Sequence, residues 1–252
     1  MLLNFKSIKL QMILYLFCFV LFVAVRDRNL ALFCPVALAV SAALILNLLL
    51  DYLKNKTFQV SESSVITGLI IGLVISGSEP WWKIILAALI AIISKYTIRI
   101  KGKHIFNPAA FGLFLMIIFF GVSTQWNGTY LWYILLPFGL YFTHKINKIE
   151  VIIGYAVVSL VLFGIQAFWQ KVTLKDIFGY FSYFYIFVMV IEPKTSPLKQ
   201  AGKYLFGALA AGFVFILTQI GVRFDVELCS LLAANCAVPL LNKVSFLKKE
   251  VV

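Results

Sequence analysis

Apolar residues run along this chain in continuous blocks, without alternation. The blocks fall near residues 8–25, 30–50, 64–78, 81–98, 107–122, 129–143, 149–168, 174–191, 202–221 and 225–241, with short polar connections between them. An α-helix needs about 20 apolar residues to cross the hydrocarbon core of a bilayer. It satisfies its own backbone hydrogen bonds, which lipid cannot do. A closed transmembrane barrel would need alternating apolar and polar positions instead. The pattern therefore predicts an all-α polytopic membrane protein with about ten transmembrane helices. No long polar segment interrupts the blocks, so residues 1–252 are expected to form a single transmembrane domain. The first block follows Lys6 and Lys9 but is followed by RDRNLALF, without a small-residue cleavage site. It is expected to be a retained span and not a signal peptide.

Composition agrees with the blocks. The chain is 62% hydrophobic and 13% charged, with a mean hydropathy of +0.99. Soluble domains carry about 25% charged residues, so a water-facing surface cannot be built from this sequence. Charge adds orientation. With ten spans and the N-terminus in the cytoplasm, 16 of the 22 Lys and Arg residues fall on the cytoplasmic side and 6 on the other. That bias predicts a multi-pass protein of the cell membrane with both termini cytoplasmic. It also accounts for the net charge of +12. The basic residues are spread over every inner loop, so contact with anionic lipids is expected and nucleic-acid binding is not.

The irregular places in the blocks carry the candidate chemistry. SESSVITGLIIGLVISGSEPWW, residues 61–82, has hydroxyls at Ser61, Ser64 and Thr67 and a close-packing Gly68-x-x-x-Gly72 spacing. Glu79-Pro80 then ends the run, because proline cannot extend a helix. KYTIRIKGKHIFNPAAFG, residues 95–112, is a basic loop entering Asn107-Pro108. Asn107 is expected to cap a helix that has Pro108 in its first turn. The second half has counterparts: Glu192-Pro193 within VIEPKTSPLKQAG, residues 190–202, and Asn235 with Pro239 within LLAANCAVPLLNK, residues 231–243. Paired interruptions in two halves, roughly 1–122 and 129–242, point to a binding site between repeats. An odd number of spans in each half would make the repeats inverted.

Intramembrane charge contributes little, since Glu62, Glu79, Glu192, Asp225 and Glu227 all fall at span ends. Ser64, Thr67, Asn107 and Asn235 are the better candidates for lining a polar cavity. Cys18, Cys34, Cys229 and Cys236 form no CxxC pair and are expected to be small buried hydrophobes, with no metal bound by this chain alone; the alternative is a thiolate site for an iron–sulfur centre at a subunit interface, with ligands from a partner. No nicotinamide fingerprint, iron–sulfur ligand set or nucleophile constellation is visible, so no self-contained active site is expected.

Three stretches in the same order carry a resemblance. SSVITGLIIGLVISGSEPWW, then KGKHIFNPAAFG, then VMVIEPKTSP with AGKYLFGALAAG and IGVRFDVELCSLLAANCAVPLL, resemble the NqrB/RnfD family. These are large membrane subunits of the sodium-pumping NADH:quinone oxidoreductase and of the Rnf complex. The resemblance covers about residues 60–242. It implies two inverted five-helix repeats with a urea-transporter-like fold. It also implies membership of an ion-translocating electron-transport complex, with other membrane and redox subunits as partners.

The family's FMN is joined by a phosphoester to the threonine of a Ser-Gly-Ala-Thr motif. The matching loop here, GVSTQWNGTYLW over 121–132, lacks that motif and offers only Thr124 and Thr129. FMN or riboflavin, where bound, is therefore expected to be noncovalent. The candidate cofactor-binding positions are Thr67, Gly68, Lys101, Gly102, Asn107 and Pro108 in the first half. Thr124, Glu192 and Asn235 complete the set. The alternatives are a small-solute or ion channel using the same fold, and an anchor that docks redox partners without a cofactor.

Overall fold

The structure is a computed structural model that describes residues 7–56, 58–100, 102–171, 173, 178–179 and 181–244. It resolves into two compact units, Met1–Leu131 and Trp132–Val252.

Unit 1 holds α1 (Ile8–Arg26), a single 3-10 turn (Leu30–Leu32), α2 (Phe33–Asn55), α3 (Glu62–Val74), α4 (Trp81–Thr97) and α5 (Pro108–Phe120). A two-stranded antiparallel hairpin, β1 (Arg99–Ile100) and β2 (Lys103–His104), links α4 to α5. Gly102 sits at its turn with φ +79°, a conformation that costs glycine nothing. α3 is the core of the unit, with nine of its 13 residues buried, and it packs against α2, α1 and α4. The Gly68/Gly72 spacing does what the sequence predicts. A Cβ on Gly68 would come within 2.5 Å of the Val40 Cα, and one on Gly72 within 2.5 Å of the Val36 Cα, so α2 and α3 meet backbone to backbone. Asn107 caps α5 as predicted: its Oδ1 accepts from the Ala110 N–H at 3.1 Å, with Pro108 in the first turn.

Unit 2 holds α6 (Trp132–Lys145), α7 (Ile149–Gln170), a π-helical segment (Tyr185–Val190), α8 (Gln200–Ile220) and α9 (Val226–Leu241). α7 and α8 form its most extensive pairing, and small residues again let the backbones approach. A Cβ on Gly207 would run into the Val151 carbonyl, and one on Gly154 into the Tyr204 carbonyl.

The ten blocks and the helices differ in length. Four helical stretches are long and apolar enough to cross a membrane: Ile8–Arg26, Leu30–Asn55, Ile149–Gln170 and Gln200–Ile220. α3 and α5 stop after 13 residues each, about 20 Å at 1.5 Å per residue. α3 stops because Ile75 turns extended, and α5 because Gly121 adopts the left-handed cap. The predicted span 174–191 is represented by the π-helical segment and the residues just before it; 174–177 and 180 lie outside the described residues. The chain is a polytopic helical membrane protein.

Candidate functional site

In unit 1 the candidate residues gather at the two ends of α3. At its start, Thr67 Oγ1 donates to the Ser63 carbonyl at 2.8 Å. Lys95, in the last turn of α4 and 6% exposed, places its ammonium against the same carbonyl at 3.1 Å and against Thr67 Oγ1 at 3.4 Å. Gly68 lies one residue on, at the α2 contact described above.

At its other end, α3 is closed by the loop after α5. Thr124 pairs with Ile75 in an antiparallel bridge. The Gln125 N–H donates to the Val74 carbonyl at 2.8 Å. Asn127 donates to the Leu73 carbonyl twice, from its backbone at 2.8 Å and from its side-chain amide at 3.0 Å. Helix-end carbonyls have no partner within their own helix, and these contacts supply one. Trp126 adopts φ +48° to make the turn.

A second clasp holds the same loop. Glu79 Oε1 accepts from both the N–H and the hydroxyl of Ser123, each at 2.8 Å. Its Oε2 meets Lys83 Nζ at 2.9 Å, and Lys83 also donates to the Phe120 carbonyl at 3.0 Å. Partial burial pushes the Glu79 carboxyl up, but the Ser123 and Lys83 hydrogen bonds and the Lys83 charge outweigh it, so Glu79 ionises below its ordinary value.

Gly102, Asn107 and Pro108 stand on the α4–α5 connection, Gly102 exposed and the other two buried. Lys101 lies outside the described residues.

In unit 2, Glu192 follows the π-helical segment and organises the turn after it. Thr195 Oγ1 donates to Glu192 Oε2 at 3.2 Å, and Ser196 Oγ to the Glu192 carbonyl at 2.8 Å. Asn235, 0% exposed in the middle of α9, donates from its amide to the Thr195 carbonyl at 3.0 Å. Glu192 and Asn235 are thus brought together through Thr195. Lys148, 4% exposed, adds its ammonium at 3.3 Å from the Ser196 carbonyl and 2.5 Å from that of Pro197. Lys203, 6% exposed, reaches the Asn147 carbonyl at 2.7 Å and Glu150 Oε2 at 3.2 Å.

These three buried lysines were missed by sequence reasoning, which treats every loop lysine as a topology signal. Each is a long stem with its ammonium on backbone carbonyls, and burial without such partners would be prohibitive. No local signal marks them: Lys95 lies 32 residues from the Ser63 carbonyl it braces, and Lys148 lies 48 and 49 residues from those of Ser196 and Pro197. Also missed were the buried tyrosines Tyr155 and Tyr185.

The cysteines differ from expectation. Cys18, Cys34 and Cys236 are exposed and Cys229 is half-buried, because each lies on the face of its helix turned away from its own unit's core. Among the described residues no three His, Cys, Asp or Glu side chains converge to hold a metal ion.

The loop 121–132 is the place to test the family's covalent flavin. Neither Thr124 nor Thr129 stands in the Ser-Gly-Ala-Thr pattern. Thr124 is engaged in the bridge to Ile75, and Thr129 belongs to the turn in which its N–H donates to the Trp126 carbonyl at 3.1 Å. Both contacts are made by the backbone of the two threonines.

Short interrupted helices, braced by buried side chains at each break, define a class of polytopic helical membrane proteins. The family follows from comparison. The chain matches the model of the NQR2, RnfD, RnfE family over residues 3–134 and 129–249, and it belongs to that family. It is 24% identical over 298 aligned positions to the D subunit of the ion-translocating oxidoreductase complex of Actinobacillus succinogenes, covering 82% of this chain and 83% of that one. It is 30% identical over 216 positions to the D subunit of the same complex in Psychromonas ingrahamii, covering 81% of this chain and 58% of that one. A stretch of 77 positions is 42% identical to the corresponding D subunit of Buchnera aphidicola subsp. Schizaphis graminum, covering 30% of this chain and 22% of that one.

Proposed function

We propose that this chain is a membrane subunit of an ion-translocating electron-transport complex of the Rnf/Nqr kind. The observation that carries the reading is the family match, which runs through residues of both units and links the chain to relatives named as the D subunit of such a complex. Its partners are then other membrane and redox subunits, with anionic lipids at the basic loops. The bias of Lys and Arg supports a place in the cell membrane with both termini cytoplasmic. The Glu-Pro breaks of the two halves support inverted repeats, and the family resemblance implies a urea-transporter-like fold of two five-helix halves.

The chain's own part is to hold breaks in its helices rigid. Lys95 and Thr67 fix the start of α3, Asn127 and Glu79 its end, and Lys148 with Asn235 the turn after Glu192. Flavin bound by this chain is read as noncovalent, because the covalent motif is missing. A noncovalent flavin would add one-electron and two-electron transfer.

The test is purification of the tagged chain from its native membranes in mild detergent. Iron–sulfur and flavoprotein subunits in fixed proportion are the expected outcome. Acid precipitation should then leave any flavin of this chain in the supernatant. A chain that purifies alone and passes small solutes or ions when reconstituted would replace the subunit reading with a channel.

A further inference from the structure

In unit 2 the turn that leads into α8 and the end of α9 meet at one corner. The Leu198 N–H donates to Asn242 Oδ1 at 2.9 Å, and Lys199 Nζ donates to the Lys243 carbonyl at 3.3 Å. A Cβ on Gly202 would stand 2.6 Å from the Leu241 carbonyl, so α8 begins in direct contact with the end of α9. The turn is also held by Lys148, whose ammonium sits on the Ser196 and Pro197 carbonyls. Both sides of the corner are therefore fixed relative to each other.

The corner combines two kinds of surface. Lys199 and Lys243 are exposed, and neither meets a carboxylate among the described residues. The carboxyls of the neighbouring connections are engaged elsewhere: Glu150 pairs with Lys203 at 3.2 Å, and Glu192 accepts from Thr195. Lys199 uses one N–H on the Lys243 carbonyl and keeps the others as donors. Asn242 accepts through its side-chain oxygen, which leaves its amide N–H groups as donors. Beside these polar groups Leu198 and Leu240 are both exposed. Leu198 adjoins Lys199 in the chain, and Leu240 lies about one helical turn before Lys243. Two lysines are thus brought together with their charge uncompensated, at the edge of bare hydrocarbon.

We propose that this corner binds an anionic phospholipid, with its phosphate on Lys199 and Lys243 and an acyl chain along Leu198 and Leu240. A phosphodiester is an acceptor with negative charge, and lysine ammonium groups are donors with no acceptor, so the two match. Exposed leucines at the end of a membrane helix are covered best by hydrocarbon. A soluble anion does not bring any, and the acidic face of a water-soluble protein brings little. Headgroup charge then selects among lipids. A zwitterionic headgroup places its own ammonium beside the two lysines, whereas an anionic headgroup adds no cation there. This rests on the reading that anionic lipids meet the basic loops, and not on the chain's being a subunit of a complex.

The experiment is native mass spectrometry of the purified full chain in mild detergent, titrated with phosphatidylglycerol or with phosphatidylcholine. The wild type should bind the first phosphatidylglycerol more tightly than phosphatidylcholine. Lys199→Gln and Lys243→Gln should each weaken phosphatidylglycerol about fivefold, the effect of one lysine at a lipid surface. Both should leave phosphatidylcholine unchanged, and Lys199→Arg should keep the wild-type preference. Lys54→Gln, which removes an exposed lysine of α2, is the control and should change nothing. Thermal unfolding shows that each variant keeps its fold, and either lysine variant suffices if the other does not. Displacement of the lipid by excess inorganic phosphate would reveal a site for the free anion and overturn the proposal. A preference that survives both corner variants, or that Lys54→Gln weakens equally, overturns the corner and leaves anionic lipids at the basic loops standing. A wild type without any preference overturns both.

Discussion

Asn127 closes α3 onto Leu73: its backbone N–H and its side-chain amide both donate to the Leu73 carbonyl, at 2.8 and 3.0 Å. The side-chain bond is one of two on that oxygen, so its removal leaves the carbonyl still partnered. Asn127→Ala is expected to destabilise the chain by about 1 kcal/mol, the low end for a buried hydrogen bond. Asn127→Asp should cost more, because a carboxylate oxygen would face the carbonyl. Thermal unfolding in one detergent, wild type against both variants, measures the order.

The glycines of α3 separate close packing from helix propensity. Gly68→Ala and Gly72→Ala drive a methyl to 2.5 Å from the α2 backbone, and overpacking of this kind costs about 1–3 kcal/mol. The better helix propensity of alanine, about 1 kcal/mol, offsets only part of that. Gly77, with nothing within 4 Å of where a Cβ would stand, is the control, and Gly77→Ala should leave stability nearly unchanged. A stability gain at Gly68 or Gly72 would mean that α2 and α3 do not pack backbone to backbone.

What the sequence disclosed follows from how local the physics is. Asn107-Pro108 is a short local signal for a helix start, and the structure realises it without help from elsewhere. Gly68-x-x-x-Gly72 is legible for the same reason, although not that α2 would be the partner. The closing of α3 by residues 121–131 was not legible. It joins segments some 50 residues apart, mostly through backbone groups, and those leave no trace in residue types. The lysines fail differently. Lys95, Lys148 and Lys203 read as surface charge in any count, and only the carbonyls that converge on them in three dimensions reveal braces. Of the candidate site residues, Thr67, Glu192 and Asn235 occupy breaks that these braces hold, whereas Gly68 is accounted for by packing.

The Lys203–Glu150 pair is largely buried, with side-chain exposures of 8% and 11%. Removing one partner of a buried pair strands the other, at a cost of about 3–5 kcal/mol. Lys203→Met is therefore expected to be among the most destabilising single changes in unit 2. It also deprives the Asn147 carbonyl of its donor at 2.7 Å. Replacing both partners with apolar residues of similar volume removes the stranded charge. The double variant Lys203→Met, Glu150→Leu should be more stable than Lys203→Met alone. A double-mutant cycle on unfolding in mixed detergent micelles reads the coupling, and strict additivity would show that the ion pair contributes nothing.

Acid should loosen the loop 121–131 before it unfolds the helices. Glu79 is held to Ser123 and Lys83, and its folded pKa lies below the ordinary value of 4.5. A carboxyl with a lowered folded pKa contributes stability that is fully present above the unfolded value. That contribution is lost as the pH falls through the folded one. The clasp is therefore intact at neutral pH and releases on the acid side of 4.5. Glu79→Gln keeps one acceptor for Ser123 but loses the charge that attracts Lys83, so it should weaken the clasp at neutral pH and flatten its response to acid. Hydrogen exchange at the Ser123 amide, expressed as protection relative to an unstructured peptide at each pH, measures this directly. Protection should fall below pH 4.5 in the wild type and change little in Glu79→Gln. The Lys83 and Glu79 side chains are only 18% and 9% exposed, so added salt should screen their attraction weakly and leave Ser123 protection nearly unchanged at neutral pH. An acid response identical in the two proteins would place the pH sensor elsewhere.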